Sequence, residues 1–153
     1  MKLFLASVKI ILLVLHLSFS YEKYLLDSNI CIHLLRNRTE VVEAVRQVGW
    51  KRCCISEMTV VKLYYGAECS NNPEKNRIVI DSFLSDIKIV PFSLCIHEFC
   101  KQKARLCSLG TLIEDFDLFI GSAAIAADCI LVTENVKYLS RLENIMLENW
   151  ITR

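Results

Sequence analysis

The residues that could do chemistry are few and mostly acidic. Asp27 ends a short apolar run, Tyr24-Leu25-Leu26, and is followed by Ser28 and Asn29. Asp117 stands in the first turn of a stretch rich in Ala and Ile that begins near Glu114. Thr133-Glu134-Asn135 follows a second apolar run, Cys129 to Val132. Singly, each has an ordinary explanation. Asp27 is a good helix cap, and an acid at a helix start is favoured by the dipole. Together, and with Asn135, Asp27 and Asp117 could supply oxygen ligands to Mg²⁺. Such an ion is held by one or two carboxylates, waters and a substrate phosphate, and it activates water against that phosphate.

Other candidates have plainer readings. His33 and His97 have no partner at ligand or triad spacing and read as helix histidines. Ser122 follows a Gly, but no GxSxG elbow surrounds it, so small-residue packing explains it. Tyr64 and Tyr65 could stack on bases, yet a helix packing face is the commoner role for such a pair. The net charge is +1, so no global basic field holds nucleic acid. Any such contact must be a local patch: Arg36 with Arg38, Lys51 with Arg52, or Lys101, Lys103 and Arg105. Each of these also reads as a solvated helix face or loop end.

The elements that must position the acids follow from periodicity. Helical spacing of Ile30, Leu34 and Leu35 puts a helix after Asp27. A second helix spans about 40–48, before a strand at 53–55. Ser56 caps a helix carrying Met58, Val61, Leu63 and Tyr65, and Pro73 opens another. A strand at 87–90 stops at Pro91. A long helix over 93–109 closes at Gly110, and a helix over about 114–127 precedes the strand at 129–132. A short fifth strand falls at 145–147. Alternation of this kind predicts an α/β fold: a mostly parallel sheet of about five short strands with helices on both faces. Ligand sites in such sheets lie beyond the carboxyl ends of the strands, where Asp27, Ser56 and Thr133 fall.

Residues 1–20 stand apart. They hold two lysines, no acid and a long apolar run, the pattern of a secretory signal. The run is broken by Lys9 and His16 and is marginal for a membrane span, which takes roughly 20 apolar residues. Three readings stay open: a signal or anchor, a translated stretch outside the working protein, or an extra helix on the domain. The domain itself is 21–153. Its eight cysteines show no CxxC pair and no zinc spacing, and read as reduced and mostly buried. That favours a cytoplasmic home, with no membrane contact unless the leader is genuine.

Tyr24-Leu25-Leu26-Asp27-Ser28-Asn29-Ile30 resembles the opening of a PIN domain. Residues 55–68, ISEMTVVKLYYGAE, resemble its second block. Residues 117–124, DLFIGSAA, resemble the third, and 131–135, LVTEN, the fourth; the Glu148-Asn149-Trp150 ending fits as well. The blocks run in order from Tyr24 to Trp150 and are most similar to the VapC toxins of bacterial toxin–antitoxin pairs. The resemblance implies a PIN-like three-layer sandwich and a Mg²⁺-dependent endoribonuclease, with Mn²⁺ as a substitute ion. It also implies a homodimer, an RNA substrate and a cognate antitoxin that blocks the site. Asp27 and Asp117 would hold the ion, Asn135 a water or its outer shell, and Thr133 would orient them. Ser28, Asn29 and Lys62 would contact substrate.

Lys62 departs from the pattern, because the second block of the family carries Glu there. Glu57 does not replace it: five residues earlier on a helix is roughly 140° around and about 7 Å away. Glu68 is roughly 120° off in the other sense and about 9 Å away. Glu114 could lend an oxygen beside Asp117 only if it lies within the helix, three residues being one face. An ammonium near the two acids would pair with them and compete with a metal, or bend outward to an RNA phosphate. Three functions follow: a working nuclease, a degenerate PIN fold that binds antitoxin or RNA without cutting, or a secreted or anchored domain of unrelated role.

Overall fold

A computed structural model describes residues 22–151. The leader, residues 1–20, lies outside them. Five strands form one sheet: β1 (Tyr24–Leu26), β2 (Cys53–Ser56), β3 (Lys88–Val90), β4 (Ile130–Val132) and β5 (Met146–Glu148). Seven α-helices connect them: α1 (Ser28–Leu35), α2 (Thr39–Val48), α3 (Glu57–Glu68), α4 (Pro73–Asp86), α5 (Phe92–Ser108), α6 (Asp115–Ala126) and α7 (Val136–Leu139). The strand order is β3-β2-β1-β4-β5, and every pairing is parallel. The expected sheet is therefore present, wholly rather than mostly parallel.

Side-chain alternation along each strand divides the core in two. Tyr24, Leu26, Cys53, Ile55 and Val132 face one side, with Ile30 and Cys31 of α1, Val41 and Val45 of α2, Leu63 and Ala67 of α3 and Ile80 of α4. Leu25, Cys54 and Leu131 face the other, with Cys95 and Leu106 of α5, Ala123 and Ala124 of α6 and Leu139 of α7. The partition has a topological cause. The chain steps from β1 to β2 to β3 in one direction, then crosses back to β4 and β5. Right-handed crossovers put helices on opposite faces when the direction of travel reverses. The three layers follow from that reversal.

The reversal also makes a crevice. Connections leave β1 and β4 on opposite faces, so the carboxyl ends of these neighbours are not bridged by one loop. This is the switch point at which open α/β sheets bind ligands. Tyr24, Leu25 and Leu26 register against Ile130, Leu131 and Val132, and the Asp27 N–H continues the ladder to the Val132 carbonyl at 3.0 Å. Asp27 and Thr133 thus emerge side by side.

Ser56 caps α3 and Pro73 opens α4, as expected. The Ser56 hydroxyl accepts from Thr59 N at 3.0 Å and Asn72 caps the Pro73 helix. Gly110 has φ +65° after α5, where a side chain would be strained. Two short pieces carry no sequence signal: a single 3₁₀ turn, Trp50–Arg52, and the four-residue α7. Among the described residues no helix is long and apolar enough to cross a membrane.

Candidate active site

Asp27 is 2% exposed and serves as the N-cap of α1. Its carboxylate accepts from Ser28 N at 2.6 Å, Ser28 Oγ at 3.2 Å, Asn29 Nδ2 at 3.1 Å and Thr133 Oγ1 at 2.7 Å. Four donors thus fix the orientation of the Asp27 carboxylate. Capping and site building are therefore one arrangement, not rival readings. Ser28 and Asn29, expected to meet substrate, both direct their polar atoms at Asp27. Asn29 also accepts from Glu134 N at 3.5 Å, pinning the β4–α7 loop to α1.

Thr133, fully buried, links the two acids. It donates to Asp27, and its Oγ1 accepts from Asn135 N at 2.9 Å. Asn135 then turns its amide Nδ2 onto Asp117 Oδ2 at 2.5 Å. A continuous chain of hydrogen bonds runs from Asp27 through Thr133 and Asn135 to Asp117. Four residues predicted from three separated segments are brought together.

Lys62 closes the arrangement. From the second turn of α3 its Nζ donates to Asp117 Oδ1 at 2.9 Å, with 30% of the lysine side chain and 12% of the aspartate exposed. Burial opposes the ammonium charge. The hydrogen bond to Asp117, with the fields of Asp117, Asp27 and Glu114, outweighs it and raises the lysine above its ordinary range. The ammonium that the sequence placed near the acids is thus on Asp117.

The other acids settle as follows. Glu57 accepts from Phe92 N at 2.7 Å and caps α5, and Glu68 pairs with Arg77 at 2.7 Å. Glu114 is the N-cap of α6, outside its first turn, so the one-face argument for it fails. It instead lines a hollow of about 280 Å³ beside the site, with Val61, Lys62, Tyr65 and Phe116. His33 gains a partner that spacing could not show: its Nε2 lies 2.9 Å from Glu134 Oε2 at the rim. No local signal links residues 101 positions apart.

Whether these residues suit a divalent ion turns on their donor chemistry. Asp27 and Asp117 are hard oxygen donors of the kind Mg²⁺ takes one or two of, with waters completing its shell. Asp117 accepts from only two donors, which leaves lone pairs for an ion. In kind, the pair fits. Among the described residues no group of three or more His, Cys, Asp or Glu could hold a metal, and Lys62 uses one of the available oxygens.

The PIN domain family matches residues 24–144. Ribonuclease VapC2 of Haemophilus influenzae is 37% identical over 131 residues, which cover 84% of this chain and 98% of that protein. The chain is a PIN-domain nuclease of the VapC family. Another relative, the tRNA(fMet)-specific endonuclease VapC of Salmonella typhimurium, is 32% identical across 84% of this chain and 98% of its own length. Among solved structures, VapBC2 from Rickettsia felis bound to a DNA fragment from its promoter superposes with TM-score 0.77 at 32% identity, covering 84% of this chain and 98% of that one. DNA-bound VapBC from Salmonella typhimurium gives 0.78 at 30%, covering 85% and 99%. In this VapC-family chain the acidic pair lies at the switch point of the sheet, and Lys62 is its resident cation.

Proposed function

We propose that this PIN domain, residues 21–153, is a Mg²⁺-dependent endoribonuclease toxin that hydrolyses RNA phosphodiester bonds and is silenced by a cognate antitoxin. The observation that carries this is the chain of hydrogen bonds joining Asp27 to Asp117 through Thr133 and Asn135. It holds two carboxylates in fixed orientations beside a crevice, as a hydrolytic site requires. The names of the relatives support RNA as substrate, and the VapBC structures support an antitoxin partner; assembly as a homodimer belongs to the same proposal. Eight unpaired thiols support a cytoplasmic setting.

In this reading Asp27 and Asp117 hold the Mg²⁺, with Mn²⁺ able to replace it. When bound, the ion would supply positive charge to a phosphate and acidify a water. The chain's own residues do the rest. Thr133 and Asn29 fix the Asp27 carboxylate, and Asn135 fixes Asp117. Lys62 offsets one of the two negative charges where a polyanionic substrate must approach. His33 and Glu134 mark the rim on the α1 side.

One observation favours a second reading. The Lys62–Asp117 contact at 2.9 Å suits a degenerate PIN fold that binds antitoxin or RNA and does not cut. Cleavage of a structured RNA with Mg²⁺ separates the two. The nuclease reading expects cutting by the unaltered chain and none by Asp27→Asn or Asp117→Asn. Cutting by Lys62→Glu alone would establish the degenerate reading. Cutting that survives both aspartate changes would remove the site from consideration.

A further inference from the structure

Lys62 lies beside two anions, and only one belongs to the acidic pair. Its Nζ is on Asp117 Oδ1 at 2.9 Å. Glu114, exposed and in the loop before α6, shares with Lys62 the hollow of about 280 Å³ whose other walls are Val61, Tyr65 and Phe116. The negative charge of Glu114 acts on the ammonium. A lysine head rides on a flexible four-carbon stem, so the hollow gives it room to move between the two carboxylates. An ammonium and a divalent ion on one carboxylate repel, so an ion arriving at Asp117 weakens the hold of Lys62.

We propose that Lys62 is a tethered cation gate, seated on Asp117 when no ion is bound and displaced to Glu114 when a divalent ion enters. The inference rests on Asp27 and Asp117 being the ion-holding pair. Its logic is a linked equilibrium. Ion affinity is what remains after the ammonium has been expelled, so whatever stabilises the expelled position raises that affinity. Glu114 is then a positioning residue that never touches the ion.

Mn²⁺ titrated into the full chain without RNA, with free ion read by its electron paramagnetic resonance signal, tests the gate. Lys62→Met is expected to bind Mn²⁺ about tenfold more tightly than the unaltered chain, within the usual range of coupling. Glu114→Gln is expected to weaken binding about threefold when Lys62 is present and to have no effect in the Lys62→Met background. Equal weakening in both backgrounds would make Glu114 a direct ligand and overturn the gate. Lys62→Met binding no tighter than the unaltered chain would overturn it as well. Asp117→Asn distinguishes the deeper failure: if no variant binds Mn²⁺, or if binding ignores this change, the ion-holding pair is itself wrong. Thermal unfolding checks each variant, and Lys62→Gln repeats the measurement if the methionine chain does not fold.

Discussion

Asp27 accepts from Ser28, Asn29 and Thr133 at once, and its part in capping α1 can be separated from its negative charge by substitution. Asparagine caps a helix about as well as aspartate, whereas alanine does not. Asp27→Ala is therefore expected to lose about 1 kcal/mol more stability than Asp27→Asn in urea unfolding, while both abolish RNA cleavage. Equal stability of the two would show that the cap is not energetically coupled to the site. At this scale the sequence was informative wherever a residue acts through its neighbours. The cap at Asp27 and the register of Lys62 on α3 were both readable from a few adjacent positions. The His33–Glu134 pair was not, since it depends on α1 and the β4–α7 loop meeting in space. Glu114 was misplaced by one residue, because a boundary taken from composition cannot tell a cap from a first turn.

Elements are held by close packing as much as by pattern. Gly121 of α6 lies against Leu142, with Leu139 and Ile145 beside it, so an added methyl group must push a leucine aside. Gly66 of α3 is exposed, with nothing within 4 Å of the space a methyl would fill. Gly121→Ala is expected to cost about 1–3 kcal/mol. Gly66→Ala should add about 0.5–1 kcal/mol, since alanine is the better helix former. Denaturant midpoints measure both, and a shift of the same sign for the two would contradict the packing. The alternating and helical periods located all five strands and the six longer helices to within a residue or two. Residues 136–139 were missed because four residues cannot show a 3.6-residue period. The buried Gln102, which bonds to Glu143 N and O at 3.1 Å each, was missed for a related reason. A polar side chain on a helix gives no sign of the loop it will hold.

For the whole molecule, the eight thiols are free, with Cys31, Cys53, Cys54, Cys95 and Cys129 buried and Cys69, Cys100 and Cys107 exposed. Burial pushes the Cys53 thiol up to about 11 and raises Cys31 further, which keeps both protonated and unreactive. A thiol reagent is expected to label three cysteines rapidly in the folded chain and all eight in denaturant; rapid native labelling of the buried five would contradict the described core. Removing residues 1–20 is expected to leave RNA cleavage and Tm unchanged, and a fall in either would give the leader a place in the working protein.

The relay from Asp27 to Asp117 has a consequence in time as well as in space. Thr133 bonds to a residue 106 positions earlier, and Asn135 completes the link. A ribosome making this chain releases Asp27 early, but neither Asp117 nor the relay exists until residues 117 to 135 have followed. The proposed site is thereby incomplete throughout most of the chain's own translation. The two acids and their link come together only near the end of synthesis, so the arrangement belongs to the nearly complete chain of 153 residues.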